Sequence, residues 1–273
     1  MTDAGFVARV YAAAERNQSL LCVGLDPEPE RFAASLQSNP RALFEFNRRI
    51  IDATADLVCC YKPQFAHYAA LAAEDQLLDT IRYIHQHHPG VPVILDAKRG
   101  DIGNTAAKYA QEAFVRYGAD AVTVNPYMGF DTVEPYLKWT DRGVIVLCRT
   151  SNAGARDFQD LRSDGKPLYR QVAEQVATQW NVAGNCLLVV GATYPDELAE
   201  LRAVTGELPF LVPGIGAQGG DVAAAVRAGR TADGRGLLIN SSRGILYAGQ
   251  GEDFADAARA AAQALRAEIN LYR

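Results

Sequence analysis

The stretch VPVILDAKRGDIGNTAAKYAQEAFVRYG, residues 91–118, holds one complete strand-and-helix unit. It begins with an apolar, β-branched run that ends in two charged residues, Asp96 and Lys98. Residues 105–118 follow with apolar and small residues at helical spacing. A nearly continuous apolar run is typical of a strand buried on both faces, as in parallel sheets. The stretch therefore predicts a parallel strand followed by a helix that covers it.

The same unit recurs along the chain. Together with this strand, seven further apolar runs make eight, at residues 20–26, 57–63, 121–126, 143–150, 186–193, 209–215 and 236–242. Segments with helical patterning separate many of them, and eight such units predict an α/β fold, a (β/α)₈ TIM barrel. We expect one domain over residues 1–273 with an N-terminal helix. A doubly wound open sheet is the alternative, but the runs end in polar or glycine residues, which favours the barrel because barrel enzymes place their chemistry there.

Composition and charge exclude several classes of protein. The formal net charge is −5 and no long basic run is present, which argues against a nucleic-acid partner. No apolar run approaches the length that spans a bilayer, so no membrane partner is expected. The N-terminal residues lack a signal-peptide pattern, and we expect a cytoplasmic location. The five cysteines are odd in number and lie mostly in apolar runs, which predicts reduced core thiols.

Charged residues follow two neighbouring predicted strands. Asp96 and Lys98 are two apart in a strand and should project side by side into the barrel mouth. Asp101 has the opposite parity and must lie in the following turn, and Lys62 ends the adjacent strand. Two cations and two anions could then alternate in one cluster. An ion-pair network that merely closes the rim is the structural alternative, but four converging charges at the functional mouth favour a catalytic site.

Several motifs of this sequence resemble the orotidine 5′-phosphate decarboxylase family. They are LDAKRGDIGNTA at 95–106, GLD at 24–26, YKPQ at 61–64, RTSN at 149–152, PGIGAQGGD at 213–221 and SSRG at 241–244. TVNPYMGFD at 123–131 and the long connection at 151–167, a candidate lid, resemble the longer bacterial branch of the family. The resemblance implies cofactor-free decarboxylation of orotidine 5′-monophosphate to uridine 5′-monophosphate in pyrimidine biosynthesis, with no metal site.

The resemblance also implies roles for individual residues. Lys98 would stabilise the carbanion at C6 and deliver a proton to it, and Asp96 would lie against the departing carboxylate. Lys62 would connect the charges to the ribose, Asp26 would bind the ribose hydroxyls, and Ser151 would contact the pyrimidine edge.

Three further residues are expected to complete a neighbouring site. By the same resemblance, Asp101, Ile102 and Thr105 would be contributed to the other subunit, which makes the protein a homodimer with shared active sites.

The glycine-rich segment after the seventh run predicts a phosphate site. Gly214, Gly216 and Gly219 match GxGxxG, a weak signal for a dinucleotide site. Loops after strands seven and eight of barrels, however, commonly bind phosphate through backbone N–H groups. By the resemblance, the substrate contacts expected in this region are Pro213, Gln218, Gly219 and Arg243.

Other interpretations stay open at this point. A metal-dependent sugar-phosphate decarboxylase or an aldolase-type lyase of the same suprafamily would need a carboxylate where this chain has Lys62. A non-catalytic nucleotide-binding barrel would bind without turnover. The segment HQHHP at 85–89 suggests a metal cluster, but it ends a predicted helix at the opposite pole, so we interpret it as a solvated helix end.

Overall fold

The computed structural model describes residues 4–215 and 220–273. The structure has eight parallel strands, β1 Leu21–Leu25, β2 Cys60–Pro63, β3 Ile94–Arg99, β4 Ala121–Val124, β5 Gly143–Arg149, β6 Cys186–Val190, β7 Phe210–Val212 and β8 Leu237–Ser241. They form one sheet in the order β2-β1-β8-β7-β6-β5-β4-β3. Isolated parallel bridges between Tyr61 and Val93 and between Gln64 and Asp96 join β2 to β3 and nearly close the ring.

Helices cover the outside of this ring, so the predicted TIM barrel is confirmed. The α-helices are Phe6–Arg16, Ala34–Gln37, Ala42–Thr54, Phe65–Ala69, Glu74–His87, Gly103–Gln111, Phe130–Leu137, Arg156–Gln159, Leu168–Gln175, Pro195–Thr205, Val222–Gly229, Arg243–Leu246 and Phe254–Asn270. Gly103–Gln111 and Leu168–Gln175 continue as π-helical turns, Glu112–Arg116 and Val176–Trp180, and 3₁₀ turns lie at Pro29–Arg31 and Ala153–Ala155.

The core explains why the strand runs are apolar throughout. β1, β2, β4, β6 and β8 are buried at every residue, because side chains of one face fill the barrel and those of the other pack under the helices. All five cysteines are buried free thiols in this core.

The N-terminal helix closes the pole where the strands begin. Phe6 is fully buried against the first residue of β5, Gly143, whose missing side chain leaves room for the ring. Arg9 of the same helix donates to the carbonyl of Asp141. Within the described residues, no helix combines the length and apolar character needed to cross a bilayer.

Candidate active site

Three charges meet at the carboxyl ends of β2 and β3. One oxygen of the Asp96 carboxylate, Oδ2, accepts from Lys62 Nζ at 2.8 Å, and the other, Oδ1, accepts from Lys98 Nζ at 2.7 Å. The side chains of Lys62 and Asp96 are only 5% and 8% exposed, whereas that of Lys98 is 45% exposed. The predicted cluster of Lys62, Asp96 and Lys98 therefore exists as an alternating row, and one ammonium of the row is open to the mouth. We call these three residues the charge array.

The charges of the array stabilise one another. Burial opposes ionisation of Asp96, but the ammonium groups of Lys62 and Lys98 more than offset that cost and hold its pKa well below the usual range. Burial also opposes ionisation of Lys62 and by itself would lower its pKa. The carboxylates of Asp96 and Asp26 nevertheless raise the pKa of Lys62 above its ordinary value. Lys62 and Asp96 are consequently both charged near neutral pH.

The backbone that carries Lys98 departs from a regular strand. Lys98 has a φ of +46°, a left-handed conformation that side-chain-bearing residues rarely adopt. The pairing of β3 with β4 shifts between Leu95 and Arg99, so the parity argument from a regular strand was wrong in this detail. Both side chains still reach the mouth, because the bulge turns Lys98 back toward Asp96. A non-glycine residue held in such a conformation is typical of functional sites.

Two predicted substrate contacts follow other strands of the barrel, at their carboxyl ends. Asp26 follows β1, and its buried Oδ1 accepts no hydrogen bond from any residue that the structure describes. An unpaired buried acceptor is costly, and a bound hydroxyl would satisfy it. Ser151 is half-buried just after β5, next to Gly191, where an added Cβ would lie 3.1 Å from the Cβ of Ser151.

The residues predicted for a neighbouring subunit lie on the outside of this chain. Asp101 accepts a hydrogen bond from the amide of Ile102 at 2.8 Å. Within the described ranges, no ion pair joins it to Lys62 or Lys98 of the same chain. Ile102 is 61% exposed and Thr105 is also exposed. The structure thus brings Asp101 close to β3 but not into the array of its own chain.

The predicted phosphate residues are only partly covered by the described ranges. Gln218 and Gly219 lie outside them. Pro213 is half-buried after β7, and Gly214 has a φ of +100°, which glycine adopts without strain. Gly220 donates to the carbonyl of Gly214 at 3.1 Å. Arg243 is exposed at the start of the short helix that follows β8, and β8 pairs with β7.

The sequence reasoning missed Thr123, a buried residue of β4. Its hydroxyl donates to Asp96 Oδ1 at 2.9 Å and accepts from the amides of Ala97 and Lys98 at 3.0 and 2.9 Å. The only signal in the sequence was a polar residue inside an apolar strand run, which is too common to single out.

It also missed the cluster around Arg149 at the end of β5. This guanidinium is 1% exposed and pairs with Glu197, at 3.0 Å from Nη2 to Oε1, and with Asp160 at 2.7 Å. Asp160 belongs to the long connection at 151–167. That connection contains the helix Arg156–Gln159 and a hairpin of Arg162–Ser163 with Lys166–Pro167, so it is more ordered than a plain loop.

The interpretation of the histidines as a solvated helix end was wrong for His85. Its Nε2 lies 2.8 Å from Oδ2 of Asp120, a buried carboxylate at the amino end of β4. His87 stacks on Tyr83. In the part of the chain that the structure describes, no group of three or more His, Cys, Asp or Glu side chains is arranged to hold a metal ion.

The fold and the charge array together define a class: a (β/α)₈-barrel enzyme that holds a lysine against a buried carboxylate at the mouth. The sequence matches the family model described as "Orotidine 5'-phosphate decarboxylase / HUMPS family" over residues 19–260. The chain therefore belongs to the orotidine 5′-phosphate decarboxylase / HUMPS family.

Individual relatives agree with this assignment. A protein of Azoarcus sp. (strain BH72) named orotidine 5′-phosphate decarboxylase is 65% identical over 98% of this chain and 99% of that protein. One of the same name from Ralstonia pickettii (strain 12J) is 62% identical over 98% and 99% of the two chains. The solved structure of Leishmania donovani OMP decarboxylase superposes with a TM-score of 0.85 at 42% identity and covers 98% of each chain.

Proposed function

We propose that this chain decarboxylates orotidine 5′-monophosphate to uridine 5′-monophosphate and carbon dioxide in pyrimidine biosynthesis, without a cofactor. The observation that carries the proposal is the open ammonium of Lys98, held 2.7 Å from the buried carboxylate of Asp96. The family and the names of the relatives support the same reaction.

The residues of the array supply the groups that the reaction needs. The bond between C6 and the carboxylate carbon breaks, carbon dioxide leaves, and its bonding electron pair stays on C6. Lys98 stabilises this pair with its positive charge and then transfers a proton to C6, which gives the product and a neutral amine. Because the Lys98 side chain is 45% exposed, water can return the proton.

Asp96 has two functions in this scheme. It fixes Lys98, and its negative charge lies where the substrate carboxylate would arrive, so charge repulsion falls as carbon dioxide departs. Lys62 neutralises the far side of Asp96, which keeps the carboxylate charged although it is buried. The array is therefore preorganised for a carbanion before the substrate binds.

The array alone would not account for the full acceleration. The most effective enzymes lower barriers by about 23 kcal/mol, more than one ammonium can supply. Binding energy from the distant part of the substrate must contribute. We propose Asp26 for the ribose hydroxyls and Ser151 for the pyrimidine edge. Pro213, Gln218, Gly219 and Arg243 are proposed for the phosphate side.

An activity measurement tests the proposal. We expect the purified protein to convert the substrate with a change in its ultraviolet spectrum, at the same rate with and without a metal chelator. Lys98→Ala should lower kcat by at least about 10³-fold while the circular dichroism spectrum persists. Lys138→Ala removes an exposed lysine of similar size outside the site and should leave kcat unchanged. An unchanged substrate spectrum at high concentrations of the wild-type protein would overturn the proposal, and restoration of turnover by a metal would favour the metal-dependent relatives.

The site is further proposed to be shared between two subunits. Asp101, Ile102 and Thr105 would complete the partner's site, which suits their position at the surface. Apolar side chains nearby are also exposed, and Met128 lies within 3.6 Å of a Cβ placed on Gly100. Such a surface fits an isologous interface of two identical chains.

Complementation between two variants tests the sharing. Lys98→Ala and Asp101→Ala chains with different affinity tags are co-expressed, and the mixed dimer is isolated. Because one of its two sites receives both defects and the other receives neither, we expect about half of the wild-type rate. A rate no higher than the mean of the two variant homodimers would show that each chain uses its own Asp101 or does not use it at all.

A further inference from the structure

Thr123 has every hydrogen-bonding position of its hydroxyl occupied. The side chain is buried in β4, and its Oγ1 has three partners within 3.0 Å: Asp96 Oδ1 and the amides of Ala97 and Lys98. A hydroxyl offers one hydrogen and two lone pairs. Both N–H groups must use the lone pairs, so the single hydrogen points at the carboxylate. The direction of this hydrogen bond is therefore determined by its surroundings.

These contacts fall where β3 leaves the regular ladder. Leu95 pairs with Val122 and Arg99 pairs with Val124, so four steps of β3 lie opposite two steps of β4. The extra length forms an arch that contains Ala97 and Lys98. Their amides bond to the Thr123 side chain instead of a strand carbonyl, and Lys98 takes its φ of +46° within this arch. A left-handed residue persists only when its surroundings hold it there.

The same hydroxyl also fixes the carboxylate. Asp96 Oδ1 accepts from both Thr123 and Lys98, at 2.9 and 2.7 Å, and Oδ2 accepts from Lys62. Rotation of the carboxylate would break all three contacts together. Thr123 is thus bonded to the backbone of the reacting lysine and to the side chain that aims its ammonium.

We propose that Thr123 is a positioning residue for the decarboxylation, because it holds the arch of Ala97 and Lys98 and the Asp96 carboxylate in the geometry that places the Lys98 ammonium at the mouth. This inference rests on the proposed function. Thr123 itself lies behind Asp96 and acts through it and through the Lys98 backbone.

A positioning role and a purely structural role of Thr123 predict different effects on kcat and KM. Thr123→Val keeps the volume but leaves two amides and one carboxylate position unsatisfied, whereas Thr123→Ser keeps the hydroxyl. If the arch relaxes, the ammonium moves by the order of 1 Å, a displacement that can cost about 100-fold in rate. Substrate binding depends on other residues and should change little.

Steady-state kinetics of three variants separate the two roles. We expect Thr123→Val to lower kcat by about 100-fold with KM within about threefold of wild type, and Thr123→Ser to restore kcat to within about fivefold. Thr80→Val is the matched control, because Thr80 is equally buried and its hydroxyl bonds to the Gln76 carbonyl and the Asn47 amide, away from the array. It should lower the melting temperature but leave kcat within about twofold.

Each outcome decides between the roles. An active wild type with an unchanged kcat in Thr123→Val would overturn the inference and leave the proposed function standing. An inactive wild type would overturn the proposed function, and a crystal structure of Thr123→Val would then test the inference: we expect the Lys98 φ to leave the left-handed region or its ammonium to separate from Asp96. A variant structure that keeps both the left-handed φ of Lys98 and its contact with Asp96 would contradict the inference. If Thr123→Val does not fold, Thr123→Cys, with only weak hydrogen bonds, should show at least a tenfold lower kcat.

Discussion

Two buried aspartates lie at opposite poles of this barrel, and each is surrounded by cations. Asp96 ends the buried part of β3 at the mouth and pairs with Lys62 and Lys98. Asp120 precedes β4 at the other pole and contacts His85 at 2.8 Å and Arg9 at 3.0 Å. Burial opposes ionisation of both, and in both the neighbouring groups lower the pKa below its usual value. A perturbed carboxylate alone therefore does not distinguish the pole proposed for catalysis from the opposite, structural pole.

The two poles differ in how many N–H donors of the surrounding cations are already hydrogen-bonded to the protein. Around Asp120, Arg9 donates to the Asp141 carbonyl, and Arg142 donates to the Ala119 carbonyl at 3.1 Å, while Asp120 itself accepts from the Val93 amide at 2.8 Å. These groups tie the N-terminal helix and two loops to the base of the barrel. Lys98 has three N–H donors and gives one of them to Asp96 in the part of the chain that the structure describes. The remaining N–H groups of Lys98 at the mouth can bind a substrate, which indicates function. The N–H groups of Arg9 and Arg142 bind backbone carbonyls, which indicates a role in stability.

Paired substitutions provide the strongest test of this comparison. Asp96→Asn should lower kcat/KM by at least about 10³-fold, because the amide neither holds Lys98 by charge nor opposes the substrate carboxylate. Asp120→Asn should leave kcat/KM within about threefold of wild type. The measurements are steady-state kinetics at a temperature where urea titration shows both variants to be folded.

Asp96→Asn should also lose more unfolding free energy than Asp120→Asn. Asp96→Asn leaves the buried Lys62 ammonium without its counter-charge, and breaking such a pair costs roughly 3–5 kcal/mol of unfolding free energy. Asp120→Asn costs about 1–2 kcal/mol, because the amide oxygen can still accept from Val93 and the surrounding cations reach water. A loss of activity in Asp120→Asn equal to that of Asp96→Asn would contradict the division between the poles.

The sequence predicted the fold well because the decisive signal is local. Apolar runs of strand length separated by helical segments specify a parallel sheet covered by helices. Seven of the eight runs contain an observed strand whole, and β3 extends one residue beyond the run that ends at Lys98. Lys62, Asp96 and Lys98 could be predicted as one cluster, since the ends of adjacent parallel strands must meet at one mouth.

The parts that could not be predicted depend on contacts between distant residues. The arch at Lys98 is held by Thr123, 25 residues further along the chain, so alternation within β3 gives no sign of it. Likewise, His85 follows a helical pattern, and its contact with Asp120 arises only when the helix packs beside β4. The residues proposed for the partner subunit show the same limit, because the way in which two copies of the chain would meet depends on contacts that no local sequence pattern encodes.

Acid should weaken both poles, the Asp96 pole more strongly because the pKa of its carboxyl is lowered further, and this is the smaller of the effects expected here. Both carboxyls have a lower pKa in the folded protein than in the unfolded chain, where the ordinary value is about 3.9. Their stabilisation is therefore complete above that value and is lost as the pH falls toward the folded pKa. Each such group adds about 1.4 kcal/mol per pH unit to the slope of the unfolding free energy within this window.

Urea titrations between about pH 5 and pH 2 measure these slopes. Removing either carboxyl, by Asp96→Asn or Asp120→Asn, should reduce the acid slope by up to about 1.4 kcal/mol per pH unit, because one fewer proton is taken up on unfolding. Asp141→Asn is the control, since that exposed carboxyl pairs with Arg142 at the surface, where ion pairs contribute little to stability, and its loss should leave the slope nearly unchanged. Equal slopes in all four proteins would mean that neither buried pair is maintained in solution, and a reduction in Asp120→Asn alone would restrict the electrostatic argument to the structural pole.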